Sequence, residues 1–289
     1  MFLGELAALG SAAGWAASST LVKNSRGRIG ALSISAVRSL TGAATAVLVA
    51  ATAGHLLLIG QIPPGSIAIL LASSLATMAG DVMFVRGIMA DNISRVFPTV
   101  TSLYILFSVV ASAIFADQQI TPLTLLGGFF VLMGVYLTAG RESNEAADAK
   151  KRRGLSWQAL GFSLGAALLW TVSLMGIHHG LKDADPLAAT AMRNVFIAVG
   201  LFLLATLTGS LRRQPWSRQD LRSLLLSGVG WGLSSVLFIV ALKLSSPGTV
   251  AILSSSSPIF VVLIAYLFLH ERITLRVGGG TAICLLGVY

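Results

Sequence analysis

Three ionisable side chains fall inside long apolar stretches of the sequence, where a charge marks a candidate functional site. Arg38, Asp81 and Arg193 are each surrounded by apolar and small residues. A charge inside a bilayer costs roughly 2.5–3.5 kcal/mol on insertion scales, and such residues usually face a partner or a cavity. If these stretches cross a membrane as helices, with about 1.5 Å per residue, Arg38 and Asp81 lie roughly 8–10 Å from the same surface. The two side chains can therefore pair.

An Arg38–Asp81 pair has two interpretations. It is a structural salt bridge, or an arrangement in which Arg38 extends to the interface; alternatively, Asp81 accepts and releases a proton, which would couple the site to a gradient. Arg193 has no acidic residue at matching depth in the eighth apolar stretch. It can meet a carboxylate or a lipid phosphate, or it can have a structural role of its own.

Aromatic residues form a second group of candidates because they stand among unusually small neighbours. Trp15 lies in LGSAAGWAASS (9–19), Trp170 in LGAALLWTVS (164–173) and Trp231 in GVGWGLSS (228–235). Small residues let helices approach closely, so these tryptophans line a cavity, fill a packed helix interface or face lipid. The candidate cavity residues are Trp15, Met78, Tyr104, Trp170, Asn194, Trp231, Phe238, Ser254 and Ser257.

The run SSSSP at 254–258 is the most unusual polar stretch within an apolar block. Pro258 lacks a backbone N–H, so the carbonyl of Ser254 loses its helical partner. In lipid that carbonyl needs a hydroxyl, a water molecule or a ligand. The run therefore predicts either a broken helix at a binding site or a kink repaired by its own serines.

Other kinds of chemistry find little support. Cys284 is the only cysteine, and the adjacent His178 and His179 cannot face one metal ion from a helix. The serines have no convincing Ser/His/Asp partners and the aspartates do not pair, as an intramembrane hydrolase would require. There is no phosphate-binding motif for ATP. We therefore expect no metal, no cofactor and no enzyme activity.

The composition shows which elements must position these residues. The chain has 289 residues, of which 55% are hydrophobic and only 11% charged, and its mean hydropathy is +0.84. Soluble domains carry about 25% charged residues. The apolar residues fall in blocks of roughly 17–25, the length of a membrane-spanning helix. The sequence thus predicts an all-α polytopic membrane protein, embedded in a lipid bilayer and not bound to nucleic acid despite its net charge of +9.

Ten spans and one hydrophilic linker organise the chain. Residues 1–140 are predicted to hold five helices, 141–153 a charged linker, and 154–289 five more. The tenth is expected to be truncated at Tyr289, and the first is expected to be a retained span, not a cleaved signal peptide. The predicted spans are 3–22, 31–53, 65–86, 95–116, 121–140, 155–179, 186–208, 221–243, 247–269 and 273–289.

Lysine and arginine are distributed unevenly between the loops. One set of alternate loops, which includes the linker, holds 16 of the 20 basic residues. Lys182 and Lys243 lie on the opposite side. Since basic loops stay in the cytoplasm, we expect both chain ends on the non-cytoplasmic side.

An internal repeat links the two halves. Trp15 and Trp170 are 155 residues apart, as are Arg38 and Arg193. Each predicted half has an odd number of spans, so the second copy must enter the membrane from the opposite face. Inverted repeats of this kind are a recurrent transporter design, with the substrate near the midplane.

The segment ALKLSSPGTVAILSSSSPIFVVLIAYLFLHERIT (241–274) resembles the drug/metabolite transporter superfamily, specifically its EamA-type members. The first half departs from the pattern, with Ile105 in place of Pro258 and Gln118 in place of Glu271. The resemblance implies ten spans in two inverted five-helix repeats, with the span that contains Pro258 beside the central pathway.

The resulting expectation is a secondary transporter of the inner membrane. It would export small organic metabolites such as amino acids by alternating access, as a monomer, with protons as a candidate coupling ion. The alternatives are a membrane-embedded lipid-modifying enzyme and a channel.

Overall fold

The structure is a computed structural model, and it describes residues 2–23, 29–91, 93–116, 121–139, 156–212 and 215–257, with the isolated positions 260, 264, 279 and 283. The described residues form α-helices and one short 3-10 helix, with no strand among them. In chain order the helices are α1 (Phe2–Lys23), α2 (Ala31–Thr52), the 3-10 helix (Leu56–Gln61), α3 (Pro64–Ala90), α4 (Ile93–Phe115), α5 (Pro122–Ala139), α6 (Trp157–Gly180), α7 (Pro186–Leu207), α8 (Arg218–Leu244) and α9 (Pro247–Ser254).

Side-chain caps and prolines explain where several helices begin. Asp185 accepts hydrogen bonds from the backbone N–H groups of Leu187 and Ala188 at the start of α7. Ser156 and Ser217 cap α6 and α8 in the same way. These side chains satisfy N–H groups that have no partner within the helix. Pro64, Pro186 and Pro247 stand in the first turns of α3, α7 and α9, where a missing N–H costs nothing.

Helices α1 to α9 match the positions of the first nine predicted spans, but α3 and α9 differ in length. Helix α3 continues to Ala90, four residues past its predicted end, because the chain stays apolar beyond Arg86. Helix α9 ends at Ser254, and Ser255 and Ser256 form a turn. The continuous span predicted for 247–269 is therefore interrupted within the serine run. Pro258, the linker 141–153 and most of the predicted tenth helix lie outside the described residues.

Five helices of the described part, α2, α3, α6, α7 and α8, are long and apolar enough to cross a bilayer. Their outward faces carry large apolar side chains such as Leu48, Val172, Leu203 and Leu226, each more than half exposed. Their inward faces carry mostly small residues, as in α2, whose buried positions are largely alanine and serine. This distribution fits helices that face lipid and contact one another through small residues.

The main helix contacts occur in matched sets. Helix α1 packs on α8, α3 packs on α6, and α2 packs on α7 and α8. In the predicted repeat, α1 corresponds to α6 and α3 corresponds to α8. The contact of α1 with α8 therefore corresponds to the contact of α6 with α3. Two serine pairs join α1 to α8, Ser11–Ser234 at 3.1 Å and Ser18–Ser227 at 2.9 Å between hydroxyl oxygens.

Two apolar clusters fill opposite ends of the bundle. The cluster at the Asp185 end, where α6 connects to α7, includes Leu70, Leu174, Leu181, Ile239 and Leu242. The cluster at the Asp91 end, where α3 connects to α4, includes Ile29, Ile34, Phe84, Ile88 and Leu224. The middle of the bundle lies between them.

Candidate functional site

A cavity of about 170 Å³ lies in the middle of the bundle, between α1, α3, α4, α6, α7, α8 and α9. Its lining positions fall near the midpoints of these helices, for example Thr77 in α3 and Trp231 in α8. Ligand pockets commonly measure about 300–1,000 Å³. This cavity is smaller than that range and therefore suits a small molecule. Both halves of the sequence contribute to its wall.

Aromatic rings form one wall of the cavity. Trp15 and Trp170, equivalent in the repeat, pack edge to face with ring centroids 5.8 Å apart. Phe84 contacts Trp170 at 5.2 Å and Trp15 at 5.9 Å, while Tyr104 meets Trp170 at 6.2 Å. Rings at these separations gain about 0.5–1.5 kcal/mol per pair beyond area burial. The cluster is thus a cohesive apolar wall on which the flat or apolar part of a ligand can rest.

Arg38 and Asp81 form a buried ion pair, as their similar predicted depths in the membrane allow. The Arg38 Nη2 and Asp81 Oδ2 atoms are 3.3 Å apart, and both side chains are almost completely buried. Trp170 donates its indole N–H to the other carboxylate oxygen of Asp81 at 3.0 Å. The Arg38 guanidinium also lies over the rings of Trp15 and Trp231, at 5.3 and 5.8 Å. Asp81 lines the cavity, whereas Arg38 stands behind the wall.

Arg193 lines the same cavity but is held differently. Its Nε donates to Ser73 at 3.2 Å, and its Nη2 donates to Thr77 at 3.1 Å and to Ser173 at 3.3 Å. The guanidinium is therefore fixed by three hydroxyl groups of α3 and α6. No carboxylate in the described part of the chain forms an ion pair with it. Such an arrangement orients a positive charge without neutralising it.

Asn194 and Ser254 bring unsatisfied polar atoms to the cavity. Ser235 donates its hydroxyl to Asn194 Oδ1 at 3.1 Å, which leaves Asn194 Nδ2 to face another partner. Among the residues that the structure describes, neither Asn194 Nδ2 nor Ser254 Oγ has a hydrogen-bond partner, although both atoms are buried. Buried polar groups are nearly always paired in proteins. Both residues line the cavity, where a ligand can supply the missing partner.

The structure places most of the predicted cavity residues in its wall. Met78 is the exception: it points toward Gly200 and packs against Ile197 and Leu201, because one helical step turns it away from Thr77. Pro258 lies outside the described residues. The predicted residues that line the cavity are Trp15, Asp81, Tyr104, Trp170, Arg193, Asn194, Trp231, Phe238, Ser254 and Ser257.

Sequence reasoning missed several lining residues that a helical spacing rule would have found. Ser11 and Ser173 stand four residues before Trp15 and three after Trp170, and Thr77 stands four before Asp81. Residues three or four apart share a helix face. The same rule applied to Trp231 finds two more serines. The missed residues are Ser11, Thr77, Thr101, Ser173, Leu174, Ile177, Ile197, Ser234, Ser235 and Ser255.

His178 and His179 end α6 near the Asp185 end, with their rings edge to face at 5.3 Å. No group of three or more histidine, cysteine or acidic residues converges within the described segments.

Comparison with known proteins adds the family context. The sequence pattern of the EamA-like transporter family matches residues 2–140 and 157–289. A protein of Archaeoglobus fulgidus described as an uncharacterized transporter is 24% identical over 223 residues, which are 77% of this chain and 74% of that protein. A crystal structure of another protein superposes with a TM-score of 0.79 over 99% of this chain and 94% of that chain, at 14% identity. At so low an identity this likeness shows the fold alone.

Proposed function

The chain belongs to the EamA-like transporter family, and from that premise we propose that it is a secondary active transporter that exports a small organic metabolite. It is a multi-pass membrane protein, and we place it in the inner membrane. The observation that carries the proposal is the midplane cavity, which joins aromatic rings to a fixed cation and unsatisfied polar atoms.

Alternating access is the proposed mechanism. The matched helix contacts support two inverted five-helix repeats, residues 1–140 and 154–289, joined by the linker 141–153. In such transporters one repeat rocks against the other around a central site. The apolar clusters at the Asp185 and Asp91 ends lie on either side of the cavity. Opening each cluster in turn would expose the cavity to one side of the membrane at a time.

The orientation follows from charge. The loops at the Asp91 end belong to the set with 16 of the 20 basic residues, so this end would face the cytoplasm. Both chain ends would then lie on the opposite side. The Asp185 end would open outward and release the exported metabolite.

Asp81 is the proposed coupling residue. It lines the cavity and is held by Arg38 and Trp170. A proton that binds Asp81 would weaken both contacts and so loosen α2 and α6 from α3. Proton binding would thus be linked to the same contacts that hold the halves together.

Counterflow in proteoliposomes tests the function. Purified protein would be reconstituted with an unlabelled compound inside, and uptake of its labelled form would be measured across a panel of amino acids, organic acids and amines. We expect transient accumulation of one chemical class. Steady electrical conductance would instead indicate a channel, and chemical conversion in detergent would indicate an enzyme.

Variants connect this activity to the cavity. Trp15→Ala and Trp170→Ala should each abolish counterflow while membrane insertion is retained, because they remove the aromatic wall. Trp157→Ala is the matched control, since Trp157 is 87% exposed at the start of α6. Normal counterflow by both cavity variants would count against substrate binding at this site.

A further inference from the structure

We propose that the transported substrate is a small organic monoanion whose oxyanion group is held by Arg193 and Asn194. The inference rests on the proposed transport function and narrows its substrate class. It departs from the amino-acid substrates that the family resemblance suggests.

The first argument is a count of buried charges. Among the described residues, Arg38, Asp81 and Arg193 are the buried charged groups in the central part of the bundle. Asp81 is bound on one oxygen by Arg38 and on the other by Trp170. Arg193 is bound by the hydroxyls of Ser73, Thr77 and Ser173. The described site therefore carries one net positive charge.

Asp81 attracts both cations, so one carboxylate serves two buried arginines. The excess positive charge is costly, because proteins normally pair buried charges. Since Arg193 lines the cavity, a substrate can provide the missing negative charge. One unit of positive charge matches a monoanion better than a dianion, a neutral compound or a cation.

The second argument concerns hydrogen-bond donors. The Asn194 side chain is fully buried, and its Oδ1 accepts from Ser235. This bond directs the amide so that Nδ2, a donor, has no partner in the part of the chain that the structure describes. Arg193 is likewise a donor only. Although the two residues are adjacent in α7, both line the same cavity, because the long Arg193 side chain reaches across to hydroxyl groups of α3 and α6. Two donors in one cavity wall, one of them charged, suit the oxygen atoms of a carboxylate or a similar oxyanion.

The third argument explains why an amino acid fits less well. The α-ammonium group of an amino acid is a cation, and an anionic partner stabilises it best. Asp81 is the carboxylate that the described residues place in the cavity wall, and both of its oxygens already accept hydrogen bonds. A carboxylic acid with the same scaffold but without the ammonium group keeps the Arg193 contact and avoids burying an unpaired cation. Its apolar portion can rest on Trp170, Tyr104 and Phe238.

Binding to the full-length protein in nanodiscs tests the assignment. Ligands would be built on phenyl and branched-alkyl scaffolds, each carrying a carboxylate, a carboxamide, an amine or an α-amino carboxylate. We expect the best carboxylate to bind at least about tenfold more tightly than its amide, amine and amino-acid counterparts, a change that corresponds to about 1.4 kcal/mol. Tryptophan fluorescence gives the readout, since Trp15, Trp170 and Trp231 line the cavity.

Two variants assign the preference to the proposed residues. Arg193→Gln should remove the preference for carboxylates, and Asn194→Asp, which adds a negative charge with little change in shape, should do the same. Lys182→Gln is the control, because Lys182 is an exposed cation in the connection between α6 and α7. If Arg193→Gln does not fold, the Asn194→Asp result decides.

The outcomes separate this inference from the transport proposal. Tighter binding of the amine or of the amino acid, or an unchanged carboxylate preference in the Asn194→Asp variant, would overturn the monoanion assignment. Counterflow of amino acids without counterflow of the matched acids would overturn it too, yet would leave the transporter intact. Absence of counterflow for every compound would contradict the transport function itself.

Discussion

Asp81 links three helices at the centre of the bundle. It binds Arg38 of α2 at 3.3 Å and Trp170 of α6 at 3.0 Å while belonging to α3. Two interpretations of this carboxylate make different predictions. A purely structural ion pair contributes to stability alone, whereas a coupling residue also gives transport its dependence on pH.

The Asp81→Asn variant distinguishes them. It leaves the Arg38 guanidinium buried without its counter-charge, and breaking a buried pair typically costs about 3–5 kcal/mol. We expect a lower melting temperature and a pH profile of counterflow that becomes flat. Asp183→Asn, at an exposed position near the Asp185 end, is the control. A variant that loses stability but keeps the wild-type pH profile would show that Asp81 is structural only.

The residue types in the sequence identified several members of this site, but they did not identify most of the groups that those residues bind. Arg38, Asp81 and Arg193 stood out because charges are rare in apolar helices, and the depths of Arg38 and Asp81 allowed their pairing. The hydroxyl groups that hold Arg193 could not be identified, because serine and threonine are abundant throughout these helices. Met78 stands three residues before Asp81, so helical spacing places it near the face of a lining residue, and only the structure shows it turned toward Gly200 instead.

At the level of helices, close packing of α2 on α8 depends on glycine. A Cβ atom at Gly228 would collide with the Thr41 hydroxyl and the Arg38 carbonyl, and one at Gly42 would collide with the Trp231 ring. Thr41 also donates its hydroxyl to the Leu225 carbonyl across the interface at 2.9 Å. Small residues thus bring the two halves into direct backbone contact beside the cavity.

Gly228→Ala should separate α2 from α8 and lower the melting temperature, because rigid backbone and a short side chain occupy the required space. Gly161→Ala in α6 is the matched control. Among the described residues, no atom beyond the adjacent turns of its own helix lies within 4 Å of a Cβ added there, and alanine stabilises a helix interior by about 0.8–1 kcal/mol relative to glycine. We expect the control to melt at the wild-type temperature or higher. Equal melting temperatures for the two variants would contradict the tight α2–α8 contact.

Helix positions followed closely from the sequence, while details of their ends did not. Blocks of apolar residues located α1 to α8 and the start of α9 within a few residues, since the length of a span is fixed by the bilayer. The turn at Ser255 and Ser256 was only one of two open interpretations of the serine run. The turn depends on how Ser256 meets the Leu253 carbonyl, to which both its backbone N–H and its hydroxyl donate.

For the whole molecule, the repeat seen in the sequence corresponds to the matched helix contacts in space. Trp15 and Trp170, 155 residues apart, meet edge to face at 5.8 Å. Composition predicted a membrane protein, while the inverted five-helix repeat stays a prediction that these contacts support. The net charge of the cavity was not predictable, because it depends on which buried groups neutralise one another across three helices.

The central claim is that one cavity opens in turn to both sides of the membrane, and thiol labelling tests it most directly. A Ser235→Cys variant in a Cys284→Ser background would carry one thiol in the cavity wall, and Leu233→Cys would carry one on the lipid-facing side of the same helix. A membrane-impermeant maleimide would be added to right-side-out and to inside-out vesicles. The account predicts that Ser235→Cys is labelled from both sides, with protection by bound substrate, and that Leu233→Cys is labelled from neither. Labelling of Ser235→Cys from one side only, or from neither, would contradict alternating access.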